Sequence, residues 1–157
     1  MIHLISQGCS ANMSESEQIA GLIAEIDFNA VILNICTVKG DSSALKAVRN
    51  AKNDYPEFLM LVTGCVTKEL IAALQKIDTK ISVASTHAVE RIPSILKKMM
   101  AGETIIDLQK EHSPKLGLPK IRKNPIVGIV SIAEGYIKAL TYHLRLYKKR
   151  FWSGILI

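Results

Sequence analysis

Short apolar runs alternate with amphipathic helical stretches as far as Leu108, and few folds accommodate that alternation. Met1–Gly8, Ala30–Ile35 and Phe58–Thr63 read as the first three strands. Ser14 with Glu17 has the form of a capping box, and opens a helix to about Ile26 with Ile19, Leu22, Ile23 and Ile26 on one face. Asp41 or Ser42 caps a second helix carrying Ala44, Leu45, Val48 and Ala51, which ends before Pro56. Thr67 caps a third, lined by Leu70, Ile71 and Leu74. Ile81–Ala84 and Thr104–Leu108 read as the last two strands. They flank a fourth helix, Ala88–Met100, with Pro93 in its first turn, where proline is tolerated. Strands joined by helices in this way run parallel, and a parallel sheet needs both faces covered. The expected fold class is therefore α/β, a flavodoxin-like doubly wound parallel five-stranded sheet with strand order 2-1-3-4-5.

Beyond the last strand the pattern changes. Gln109–Pro125 carries three prolines, Gly117 and five lysines or arginines without apolar periodicity, and reads as an extended linker. Ile126–Ala133 is another strand-like run, and Tyr136–Ile157 mixes basic and aromatic residues. The expected organisation is a domain over 1–109, a basic linker over 110–125 and the start of a second domain over 126–157. Charge follows the same division. Up to Pro114 there are 11 Lys+Arg against 13 Asp+Glu, a balance of −2; from Lys115 onward 9 Lys+Arg face Glu134 alone, a balance of +8. Such asymmetry fits either a polyanion contact or a solvated basic tail.

The start of the chain has no basic leader and reads as a strand. No apolar run approaches the roughly 20 residues that cross a bilayer, so a cytoplasmic protein without a membrane partner is expected. An odd cysteine count argues against a secreted disulfide framework.

The three cysteines, Cys9, Cys36 and Cys65, each close one of the first three apolar runs and precede a helix start. If those runs are neighbouring parallel strands, about 4.8 Å apart, the thiols gather on one rim of the sheet. Ligands of open α/β sheets bind at that rim. Helix N-termini would favour the thiolate form there. Gly8 and Gly64 would let the backbone approach a bulky group. Three soft ligands suit a [4Fe–4S] cluster with one open iron, or zinc with a fourth ligand from elsewhere. The plainer alternative is that all three are small buried hydrophobes in an interaction module.

Other candidates are weaker. His3, His87 and His112 are scattered over a strand, a helix start and the linker. Ser6, Ser10, Ser14 and Ser16 invite a phosphate-loop reading, but no Gly-rich phosphate motif accompanies them. Lys120, Arg122 and Lys123 could meet nucleic-acid phosphates or serve structure. Arg145, Lys148, Lys149 and Arg150 with Tyr147, Phe151 and Trp152 could stack on bases, or be an unfolded remnant.

The blocks Gly8-Cys-Ser-Ala-Asn-Met-Ser-Glu-Ser-Glu17, Asn34-Ile-Cys-Thr-Val-Lys39, Gly64-Cys-Val66 and Leu118-Pro-Lys-Ile-Arg-Lys-Asn-Pro125 resemble the N-terminal domain of the methylthiotransferases. These are radical-SAM enzymes that modify tRNA or a ribosomal protein. The resemblance runs from about residue 2 to residue 143 and is to the archaeal and eukaryotic branch acting on N6-threonylcarbamoyladenosine in tRNA. It implies that Cys9, Cys36 and Cys65 hold an auxiliary [4Fe–4S] cluster that presents or donates sulfur. Ile35 stands where a threonine is usual, which puts the neighbouring hydrogen bonding in question.

A second departure is larger. The family continues with Glu-Gly-Cys-x-x-x-Cys-x-x-Cys, whose cysteines bind the SAM-cleaving cluster. Here Glu134-Gly135 is followed by Tyr136, Leu140 and His143 at those positions, which is no substitute for three thiolates. The resemblance thus implies an iron–sulfur domain that is truncated or decayed. It should bind neither SAM nor the second cluster, and would need a separate radical-SAM chain for full chemistry.

Overall fold

The structure, a computed structural model, describes residues 1–36, 40–110 and 115–130. Five parallel strands form one sheet: β1 (Ile2–Gln7), β2 (Ala30–Ile35), β3 (Leu59–Gly64), β4 (Ser82–Ala84) and β5 (Ile106–Asp107). The helices are α1 (Ser10–Leu22), α2 (Asp41–Asp54), α3 (Lys68–Ile77) and α4 (Ile92–Met100), the last preceded by a 3-10 turn over Thr86–Arg91. The fold class is the expected one, α/β with helices on both faces of a parallel sheet.

Each face has its own core. On one, Val31, Leu33, Val62 and Val83 pack against Ala44, Ala47, Val48 and Ala51 of α2 and Leu70 and Leu74 of α3. On the other, Ile32 and Leu61 pack against Ile19 and Ile23 of α1 and Ile92, Ile95, Leu96 and Met99 of α4. Alternate residues of β2 therefore serve opposite cores, and all six are buried. That is the burial a central strand of a parallel sheet imposes.

Strand order differs from expectation: it is 1-2-3-4-5, so β2 and not β1 lies between its two neighbours. The residues explain why. β2 is apolar at every position but Asn34, whereas β1 carries His3, Ser6 and Gln7 and is only half-buried along its length, as suits an edge. His3 stacks on Tyr55 there, with ring centroids 4.2 Å apart.

Further expectations are corrected: Asp41 and Ser42 lie inside α2, behind Gly40 and with no side-chain cap bond, and α4 starts at Ile92 rather than Ala88. Ser14 does not cap α1; the helix opens at Ser10 behind Cys9, leaving Ser14 buried on its side, where its hydroxyl accepts from Lys120 Nζ at 2.9 Å. The helix also ends at Leu22, short of Ile26. Residues 126–130 form no strand, and Ile126 is 91% exposed, since no neighbouring strand lies beside it among the described residues. The rest of the run, 131–133, lies outside the described residues. Thr67 does cap α3, accepting from the Leu70 amide at 3.1 Å.

The basic stretch lies back along α1. Lys115 pairs with Glu15 at 2.6 Å, Gln18 donates to the Lys115 carbonyl at 2.7 Å, and the Ile121 amide donates to the Glu17 carbonyl at 2.9 Å. These bonds tie the stretch to the helix that begins at the first cysteine.

Candidate metal centre

Strand register brings the cysteine-bearing segments together. Gln7 stands opposite Ile35, and Ile35 opposite Gly64. Cys9, Cys36 and Cys65 follow those residues by one or two positions, so all three leave the same rim from adjacent strands. With β2 in the middle, Cys36 is the central one, not Cys9 as order 2-1-3 would have it. Cys36 is 6% exposed, whereas Cys9 and Cys65 are exposed to solvent.

The segments are bonded to one another as well as adjacent. The Ile35 carbonyl accepts from the Cys65 amide at 3.2 Å and from Asn12 Nδ2 at 3.0 Å. One oxygen thus joins the residue before Cys36, the first turn after Cys9, and Cys65 itself. A side chain on Gly8 would meet Cys36 Cβ at 2.7 Å, and one on Gly64 would run into the Ile35 carbonyl. Gly64 also has φ +100°, a conformation that favours glycine. Both glycines are needed for close approach. The isoleucine at position 35 leaves this bonding intact, because the carbonyl carries it while the side chain is buried in the core against α2.

Cys9 sits at the N-terminus of α1, where unpaired amides favour an anion. The Asn12 amide, followed by the Ala11 amide and the Cys36 thiol, holds the Cys9 thiol below its ordinary pKa; partial burial opposes them. The helix end thus favours the Cys9 thiolate.

A three-ligand grouping does not follow from this. Among the described residues no three or more His, Cys, Asp or Glu side chains stand close enough together to hold a metal ion. Residues 37–39, directly after Cys36, lie outside the described residues. The donor chemistry fits a soft metal or an iron–sulfur cluster: three thiols on one rim, one held toward its anion, and glycine beside two of them.

The weaker candidates lie elsewhere. His3 is on β1 among aromatic rings, His87 in the 3-10 turn, and His112 outside the described residues. Ser6 is on β1, while Ser10 opens α1 and Ser16 donates to the Asn12 carbonyl at 3.1 Å. Lys120 bonds Ser14 and the Ile129 carbonyl, and the Lys123 amide donates to Glu17 at 3.4 Å, so both serve to attach the linker. Arg122 borders a cleft of about 280 Å³ against α1 that no cysteine lines. Arg145, Tyr147, Lys148, Lys149, Arg150, Phe151 and Trp152, and the motif positions Tyr136, Leu140 and His143, lie outside the described residues. Asn12 and Asn34, central to the geometry, carried no role in the sequence reading. The available signal was one asparagine inside an otherwise apolar strand.

The family described as uncharacterized protein family UPF0004 matches residues 1–85, more than half of the chain, from β1 through β4 with all three cysteines. The chain belongs to the UPF0004 family. This is the N-terminal domain of the methylthiotransferases, in agreement with the sequence resemblance. The chain is 29% identical to a threonylcarbamoyladenosine tRNA methylthiotransferase of Danio rerio over 90% of its own length. It is 26% identical to a probable enzyme of that name from Methanothermobacter thermautotrophicus, again over 90% of its length. Against a tRNA-2-methylthio-N(6)-dimethylallyladenosine synthase of Bacillus thuringiensis it is 28% identical over 89%. The chain spans 28%, 36% and 31% of those relatives' own lengths. No solved structure matches it. Among the described residues, no helix is long and apolar enough to cross a membrane.

Proposed function

We propose that this UPF0004 domain binds one [4Fe–4S] cluster through Cys9, Cys36 and Cys65 and serves sulfur insertion into tRNA. The substrate on this reading is N6-threonylcarbamoyladenosine in tRNA; threonylcarbamoyladenosine is the nucleoside in the names of two of the relatives. What carries the reading is the junction of all three cysteine segments at the Ile35 carbonyl. Family membership supports it independently.

Bound there, the cluster would supply an iron open to a sulfur ligand, since three thiolates leave one coordination position unfilled. The chain's own part is to hold. Cys9 binds as a thiolate favoured by the α1 amides, Cys36 binds from the strand end, and Gly8 and Gly64 keep side chains out of the approach. SAM cleavage is assigned to another polypeptide, because Tyr136, Leu140 and His143 occupy the positions of the SAM-cluster cysteines. Alone, this chain does not transfer sulfur. A cytoplasmic setting, where free thiols persist, suits the reading.

Anaerobic reconstitution with iron and sulfide, followed by counting both, tests the ligand set. Each Cys→Ala variant loses cluster; variants that retain it overturn the assignment. A second reading is favoured by the burial of Cys36, which packs as a small hydrophobe would. On that reading the chain is a non-catalytic interaction module, colourless after reconstitution and indifferent to chelators.

A further inference from the structure

Beneath the rim lies a buried polar pair with no part in the ligand set, in a polar layer where Asn34 stands in register between Ser6 and Thr63. Asn34 is fully buried and Asn12 is 4% exposed. Asn12 Nδ2 donates to Asn34 Oδ1 at 2.6 Å and to the Ile35 carbonyl at 3.0 Å. In return, Asn34 Nδ2 donates to the Asn12 carbonyl at 2.9 Å and to Ser16 Oγ at 2.9 Å. The two amides therefore clasp the first turn of α1, three residues past Cys9, to the end of β2, two residues before Cys36.

The third segment meets the clasp at the same point. The Cys65 amide shares the Ile35 carbonyl with Asn12, and the Gly64 backbone lies so close to Asn34 Oδ1 that a Cβ there would run into it. Among the described residues, Asn12 Oδ1 has no hydrogen-bond partner. An orphaned buried oxygen is a cost that a layer serving packing alone would shed by using apolar side chains.

We propose that Asn12 and Asn34 are positioning residues: a buried amide clasp, and not the loops themselves, sets the spacing of the three thiols. This rests on reading the cysteines as one site. A purely structural role would lower stability without changing how the thiols meet. The two are separable in the metal-free protein.

The test uses the full chain, reduced and free of metal, with dibromobimane, which fluoresces when it bridges two neighbouring thiols. Wild type is expected to bridge Cys9 to Cys36, as peptide mapping would identify. Asn34→Ala and Asn12→Ala should each slow bridging by about tenfold, the factor that losing a hydrogen bond between buried groups sets. Asn34→Asp keeps the acceptor for Asn12 Nδ2 but loses both donated bonds, and should fall between. Ser82→Ala removes a buried hydroxyl that accepts from the Ile105 amide, far from the rim, and should bridge at the wild-type rate.

Bridging at the wild-type rate in folded Asn34→Ala or Asn12→Ala would overturn the clasp. If both alanine variants fail to fold, Asn34→Asp decides by the same criterion. Iron content of the same wild-type protein reports separately: a chain that bridges but takes up no iron refutes the cluster and leaves the clasp standing.

Discussion

Gly64 offers a perturbation whose size follows from the geometry. Its φ of +100° is one that side-chain-bearing residues rarely adopt, and a Cβ there would collide with the Ile35 carbonyl and Asn34 Oδ1. Neither obstacle is the free end of a flexible side chain. Gly64→Ala should therefore incur a backbone term of roughly 1–3 kcal/mol and an overpacking term of about the same size, roughly 1–3 kcal/mol. Gly102 separates the two. Its φ is +87°, yet nothing lies within 4 Å of where its Cβ would be, so Gly102→Ala carries the backbone term alone. Urea unfolding followed by far-UV circular dichroism gives both values on one scale. The expected result is a loss at Gly64 exceeding that at Gly102 by roughly 1–3 kcal/mol. Equal losses would show that β3 does not press against β2 as described.

Two more substitutions probe the body of the domain. Leu74 is fully buried between α3 and the sheet, so Leu74→Ala should cost about 2–5 kcal/mol in the same unfolding assay. Asp107 is gripped by Arg91, with Nε to Oδ2 at 2.7 Å and a second bond at 3.0 Å, which holds its carboxyl below the usual value. A carboxylate depressed in the folded state stabilises above its unfolded pKa, and that contribution is lost as pH falls through the folded value. The stability gap between wild type and Asp107→Asn should thus be full at neutral pH and shrink below about pH 4. A gap that stays constant on acidification would remove the ion pair from the account.

Most of the architecture could be read from residue patterns because each element obeys one strong rule. The apolar periodicities of α3 and α4 and the apolar run of β2, broken only by Asn34, leave little choice of structure, and Thr67 announces a helix start that the structure keeps. Strand order was misread because alternation shows that strands are parallel neighbours but not which one is central. The polar residues His3, Ser6 and Gln7 in β1 held that information. Ser14 misled for a related reason. Ser-x-x-Glu signals a cap only where the serine stands just outside the helix, and here the helix begins a turn earlier, with Ser14 facing Lys120. The cysteines stand out in the sequence by their place after each strand. Asn12 and Asn34 do not, since their meaning lies in a contact between residues 22 apart in sequence.

Mössbauer spectroscopy of the full chain, reconstituted anaerobically with iron-57 and sulfide, bears most directly on whether Cys9, Cys36 and Cys65 hold a cluster. The account predicts a [4Fe–4S] signal in which one iron differs from the others and alone shifts when a small thiol is added. No cluster signal, or one unaffected by replacing all three cysteines, would contradict it.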